Sequence, residues 1–193
     1  TVRLVNKNLS HLLFNVMSRE QVGMYAVYIS THGNMPDLFR NNPYAGELKD
    51  PLLYDVPEEY KEADSKFAAM LEEAEKYLGY PYVWGGSDPS TSFDCSGFVS
   101  WVLVNSGVKD VGRLGATSLY GALTPVREDE ARPGDIIFFE GTLGEGVEGN
   151  DGITHCGIYV GDGMMIHCGS PISYADLSRS YWQEHFYGYA RAY

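Results

Sequence analysis

Between Thr154 and Gly169 the chain runs THCGIYVGDGMMIHCG, and the dipeptide His-Cys occurs twice, twelve residues apart. Imidazole and thiol are zinc ligands, and they are also the base and nucleophile of covalent catalysis. Two chemistries are therefore open: four metal ligands on one hairpin, or two histidines acting on a thiol while two cysteines pack. A third cysteine, Cys95, stands in DPSTSFDCSGFVSW. Asp94 suits an N-cap, which places Cys95 in the first turn of a helix. There the helix dipole and the open N–H groups lower a thiol pKa and can hold a developing oxyanion. Ser96 and Gly97 are small and admit a substrate backbone. Taken alone, Cys95 could equally be a buried structural thiol.

Alternation separates the two chemistries. Gly161-Asp162-Gly163 is a turn signal between apolar runs, so residues 153–160 and 164–169 are expected to form a hairpin. Along the first strand His155, Gly157 and Tyr159 face one way, and Cys156, Ile158 and Val160 the other. On the return strand Met164, Ile166 and Cys168 share a face, with His167 opposite. With a three-residue loop, Cys156 lies across from Cys168 on the apolar face. The two histidines are then diagonal neighbours on the other face. A zinc site loses half its ligands to the wrong side of the sheet, and no metal site is expected. Cys156 and Cys168 are close enough for a disulfide to be conceivable, yet free thiols are expected.

These residues need elements to hold them. The 193 residues suffice for one domain with an extension, and 44% hydrophobic with 21% charged residues is an ordinary globular composition. A net charge of −12 speaks against nucleic acid, which needs clustered Lys and Arg. No stretch has the length of a membrane helix. The chain opens Thr1-Val2-Arg3 without Met, which reads as a processed or trimmed start and leaves secretion open. Residues 1–10 alternate partly like a strand. Ser18 and Gln21 form a capping-box pattern before a helix expected to end near Gly33. Residues 40–60 are rich in Pro, Asn and Asp and read as a connection. Phe67, Met70, Leu71, Ala74, Tyr77 and Leu78 then mark one face of a helix closed by Gly79. The apolar run after Cys95 reads as a buried helix ending at Gly107. Short strands follow at 135–139, 153–160, 164–168 and in the aromatic tail, and 140–152 reads as a long acidic loop. Helices first and strands later indicate an α+β domain.

Four segments, YLGYPYVWGGSDPSTSFDCSGFVSWV, RPGDIIFF, THCGIYVGDG and MMIHCG, resemble in order and spacing the NlpC-type family of bacterial cell-wall cysteine peptidases. The resemblance covers roughly residues 65–193 and divides the chain into an N-terminal extension, 1–62, and a peptidase domain, 63–193. It implies a papain-like α+β fold in which the nucleophile helix packs on an antiparallel sheet. It also implies hydrolysis of peptidoglycan stem peptides, usually between γ-D-glutamate and the diamino acid, with no metal or cofactor. By this resemblance Cys95 matches the nucleophile, His155 the general base, and His167 the residue that orients it. Tyr82 matches a tyrosine beside the nucleophile that joins the Cys95 N–H in binding the oxyanion. Asp94 and Ser96 match positions lining the substrate groove, and Trp84 belongs to the loop forming a groove wall. The sequence departs from the family at Cys156, commonly aliphatic, and at Cys168, often Ala. Both replacements suit buried positions.

The implied protein is a monomer, secreted or wall-associated, in a Gram-positive bacterium. It has no membrane span and takes the peptidoglycan stem peptide as substrate. The alternatives are an amidase or transpeptidase using the same site, or a non-catalytic wall-binding module.

Overall fold

The computed structural model describes residues 54–143, 149 and 152–193. The strand expected at 1–10, the helix at Ser18 and most of the 1–62 extension lie outside the described residues, as do Glu145, Glu148 and Asp151 of the acidic loop.

Among the described residues, helices α1 (Glu58–Ala63) and α2 (Ser65–Glu75) come first. The Asp64 carboxylate accepts from the N–H groups of Lys66 and Phe67, which starts α2 where it does. Phe67, Met70, Leu71, Ala74 and Tyr77 are all buried, as the periodicity requires. Regular helix ends at Glu75, and tighter turns carry the chain on to Gly79. Residues 54–63 pack on this body. Val56 is in the core, the Tyr54 ring lies 5.2 Å from that of Tyr174, and the Tyr60 hydroxyl donates to Asp162 at 2.7 Å.

Helix α3 (Cys95–Asn105) is buried on nearly every side, with Phe98, Val99, Val102 and Leu103 fully inaccessible. It touches α2, helix α4 (Ala116–Ala122), the small hairpin of β1 (Ser87–Asp88) and β2 (Ser92–Phe93), and the main sheet. Each of these large side chains contributes about 1.5–3 kcal/mol by leaving water, so the helix holding Cys95 is firmly seated.

The main sheet contains β3 (Thr124–Val126), β4 (Ile136–Glu140), β5 (Ile153–Gly161), β6 (Met164–Cys168), β7 (Ile172–Asp176) and β8 (Phe186–Arg191). It is antiparallel in the order β3-β8-β4-β5-β6-β7, so β5 is central. Ile136 and Phe138 face the helices, while Ile137 and Phe139 face a second cluster with Met165, Tyr189 and Trp182. Trp182 belongs to α5 (Ser180–His185), a short helix absent from the sequence expectations, as were α4, β3 and β7. Cover on both faces explains why β4 reads as a continuous apolar run rather than an alternating one.

The β5–β6 hairpin turns on Asp162-Gly163, with φ of +51° and +69°, as a two-residue hairpin turn requires. This is one residue shorter than the expected loop. A register shift between Tyr159 and Gly161 absorbs the extra residue, and Gly157 pairs with His167 and Ile158 with Ile166. Pairing beyond the bulge is therefore the same as a three-residue loop would give.

Candidate active site

Cys95 is the first residue of α3. One Asp94 carboxylate oxygen accepts from Gly97 N–H at 2.7 Å and from the Ser96 hydroxyl at 3.1 Å. The other accepts from Gly85 N–H at 3.1 Å and from the Arg113 guanidinium, which also donates to Ser96 Oγ. Asp94 thus caps the helix and ties it to the Tyr82–Gly86 loop and to Arg113. The loop comes so close that a Cβ on Gly97 would sit 2.1 Å from the Gly86 carbonyl oxygen. Only glycine at position 97 allows that approach.

The Cys95 sulfur sits over β5, with the Thr154 carbonyl oxygen 3.8 Å away. The Cys156 thiol and the His155 imidazole both favour its charged form. Together these outweigh the upward push of burial and hold the Cys95 thiol well below its ordinary range. Burial in apolar surroundings drives the Cys156 and Cys168 thiols the other way, well above theirs.

His155 lies near the start of β5, just beyond the Gly157–His167 pair. Its Nε2 is 2.8 Å from Nδ1 of His167. His167 is 7% exposed, and burial, with the neighbouring His155 charge, pushes its pKa well below the usual imidazole value. A neutral His167 that accepts at Nδ1 takes the proton on His155 Nε2, which leaves His155 Nδ1 for the thiol. The Trp182 ring stacks on His155 at 5.7 Å and meets His167 edge-on at 5.1 Å. Phe139 closes the same pocket at 6.1 Å from His155. Rings on this side and a histidine partner on the other leave the His155 imidazole one orientation.

Tyr82 is anchored through a bridge to Phe93, with its hydroxyl near enough to Cys95 to feel the charge of that thiol. Burial first, then the negative charge that Cys95 can carry, raises its pKa, so it stays a protonated donor. Trp84 is 75% exposed on the same loop, at the rim of the site rather than in it.

The structure therefore brings Cys95, His155, His167 and Tyr82 together. It also sets Asp94 and Ser96 in one hydrogen-bonded cluster beside them. Cys156 and Cys168 lie with the core facing the helices, while His155 and His167 pack against Trp182. Among the described residues no group of three or more His, Cys, Asp and Glu side chains is placed to hold a metal ion. Sequence reasoning missed Arg113, in an irregular loop, and Trp182, on a short helix it did not foresee. A thiolate poised at a helix start, an oriented imidazole and a tyrosine hydroxyl can together perform acyl transfer.

The sequence matches the model of the NlpC/P60 family over residues 79–191. It is 44% identical over 126 residues to the bifunctional muramidase/DL-endopeptidase CwlT of Bacillus subtilis, a match covering 65% of this chain and 36% of that protein. It is 34% identical over 144 residues to a gamma-DL-glutamyl hydrolase of the same species, covering 74% of this chain and 30% of the relative. The chain thus spans about a third of the length of these relatives. Among solved structures, a lipoprotein-like NLP/P60 protein of Staphylococcus aureus superposes with a TM-score of 0.60 at 30% identity, covering 91% of this chain and 62% of the other.

Proposed function

Since the chain belongs to the NlpC/P60 family, we propose that it is a cysteine endopeptidase that cuts peptidoglycan stem peptides at the bond between γ-D-glutamate and the diamino acid. The observation that carries this reading is the convergence of the Cys95 thiol with the His155–His167 pair at the start of a buried helix. The names of the relatives, a DL-endopeptidase and a gamma-DL-glutamyl hydrolase, favour that bond.

In this mechanism His155 takes the Cys95 proton and the thiolate attacks the stem-peptide carbonyl carbon. The tetrahedral oxyanion accepts hydrogen bonds from the Cys95 N–H and the Tyr82 hydroxyl. His155 returns its proton to the leaving amine, freeing the diamino acid side of the substrate. Water activated by His155 then hydrolyses the thioester and releases the γ-D-glutamyl carboxylate. His167 acts through His155 as a positioning residue. Asp94 and Ser96 line the groove and meet the substrate on the N-terminal side of the scissile bond, with Trp84 as the outer wall. Residues 63–193 are the catalytic unit, braced by residues 54–62, and the protein works outside the membrane on the wall.

Mass spectrometry of digests of wall fragments with diaminopimelate and lysine stems tests this directly. New γ-D-glutamyl carboxylates, absent with Cys95→Ala, are expected. Products cut elsewhere, or undiminished hydrolysis by Cys95→Ala, would overturn it.

A further inference from the structure

One stripe of α3 is left open to solvent. The helix is mostly buried, yet Val104 is 37% exposed and Asn105 is exposed beside it. Both line a cavity of about 310 Å³ that runs along the helix past Ser100 and Trp101 to Gly97. Ser87 of β1 and the loop from Asp110 to Arg113 complete its wall. The cavity adjoins the active site at Arg113, whose guanidinium donates to Asp94 and to Ser96 Oγ. Its lining is apolar with polar edges. Trp101 spends its indole N–H on Glu73 and Tyr77, so its side chain offers the cavity only ring carbon. At the edges, Asn105 gives its amide N–H to the Trp101 carbonyl and keeps Oδ1, and Asp110 accepts from Gly112 N–H through one oxygen only. Ser100 also lines the cavity, and its buried hydroxyl has no hydrogen-bond partner among the described residues. Such an orphan is costly in a native fold and calls for a partner.

Resting on the endopeptidase reading above, we propose that this cavity is a subsite for the N-acetylmuramyl ring from which the stem peptide hangs, so that the protein favours stems still joined to glycan. A pyranose has an apolar C–H face and a rim of hydroxyls, which matches an apolar floor edged by Asn105, Asp110 and Ser100. Asp110 beside Arg113 opposes a second anion, so a neutral polyol fits this edge better than a carboxylate or a phosphate. Position agrees with chemistry. Helix α3 rises about 1.5 Å per residue, so residues 97 to 105 lie roughly 3–15 Å along its axis from Cys95. The L-alanyl-γ-D-glutamyl arm between the scissile carbonyl and the sugar spans about 7–10 Å when extended. The arm passes Asp94, Ser96 and Arg113, and the ring falls beside Trp101 and Val104. No bond changes in this subsite; it supplies affinity for the glycan side of the substrate.

Titration calorimetry of the full chain with two ligands tests this. One is N-acetylmuramyl-L-alanyl-D-glutamate, and the other carries a plain acetyl group on the L-alanine amine instead. Both end before the scissile bond, so binding is read without turnover. The muramyl ligand is expected to bind about tenfold more tightly, a gain within reach of one or two hydrogen bonds. Val104→Trp fills the cavity from an exposed position and is expected to erase that gain while still binding the acetyl ligand. Where Val104→Trp loses the acetyl ligand as well, Asn105→Ala decides, and an undiminished gain there overturns the subsite. Equal affinity of wild type for the two ligands, a sugar gain that survives Val104→Trp, or no binding of either ligand also overturns it. Digests of wall fragments judge the scissile bond separately, so a different bond cut with the sugar gain retained would sink the endopeptidase reading alone.

Discussion

His155 Nε2 and His167 Nδ1 are 2.8 Å apart, joining diagonal positions of neighbouring antiparallel strands. The bond runs between two imidazoles rather than from an imidazole to a carboxylate. Its orienting partner therefore brings no negative charge. The charge that stabilises an imidazolium at His155 has to come from the Cys95 thiolate, so the two residues act as an ion pair.

That pairing separates the two histidines by experiment. His155→Ala removes the proton carrier and is expected to lower kcat about 10²–10⁴-fold. His167→Ala leaves the carrier but frees its ring, so kcat falls less and the fold stays intact. His167→Asn, which can still accept from His155 Nε2, is expected to recover part of the loss. Steady-state kinetics on a defined muropeptide decide it, and equal losses for His155→Ala and His167→Ala would sink the division of roles.

The depressed pKa of Cys95 has a direct chemical reading. A thiolate present at neutral pH reacts with iodoacetamide well below the range of an ordinary thiol, about 8.5. Cys95 should therefore be carbamidomethylated first of the three cysteines and fast at pH 6–7, on the order of a free thiol's rate at much higher pH. In His155→Ala the pH profile should move upward. Peptide mapping against pH gives both curves; an ordinary thiol profile for wild-type Cys95 would refute the ion-pair account.

His167 makes a prediction of its own about stability. Its folded pKa lies below the unfolded value of about 6.5 because burial opposes its charged form. Between those two values the unfolded chain binds the extra proton, so stability rises with pH there. Its full contribution is present above about pH 6.5 and is lost as pH falls through the folded value. Urea titrations from pH 7.5 down to about 4.5 should show a slope that His167→Asn flattens. Identical slopes would show that other groups govern the acid limb.

Asp94 separates capping from charge. Asp94→Asn keeps an acceptor for Gly97 N–H but drops the ion pair with Arg113, a pair whose side chains are 36% and 12% exposed. Solvent screening makes that loss small, on the order of 1 kcal/mol or less. Asp94→Ala also removes the cap, for a further ~1 kcal/mol or so. Thermal denaturation should rank wild type, Asn, then Ala. An Asn variant as unstable as Ala would mean that the link to Arg113, rather than the cap, seats the helix.

How far the sequence foretold this site depends on whether each partner is local. Asp94 and Cys95 were legible because a cap and the residue after it are neighbours in the chain. His155 and His167 were legible because a tight turn and strand alternation fix which residues share a face. Trp182 was not, since α5 reaches the histidines only after β7 has folded back, and nothing in SYWQEH encodes that return. Arg113 was hidden for the same reason: its partner is 19 positions earlier, across an irregular loop. Strand β7 follows Ser170-Pro171, a turn signal that masked a short buried strand behind it. The continuous apolar stretch of β4 gave its strand away but not its two covered faces, which only the sheet order explains.

Gly157 carries the last prediction, because it sets the space in which His167 stands. It pairs directly with His167, and a Cβ there would lie 2.9 Å from both His167 Cβ and Met165 Sδ and 3.1 Å from the Ile166 carbonyl oxygen. The Met165 sulfur can swing aside, but His167 Cβ is fixed to the strand backbone. Gly157→Ala therefore has to spread β5 and β6, which carries His167 Nδ1 away from His155 Nε2. Overpacking of this kind costs about 1–3 kcal/mol, which a folded domain survives with a lowered Tm. The kinetic effect is expected to mimic His167→Ala: kcat falls, KM changes little, and adding His167→Ala to Gly157→Ala costs almost nothing more. Full additivity of the two changes would show that the glycine acts on something other than the histidine pair.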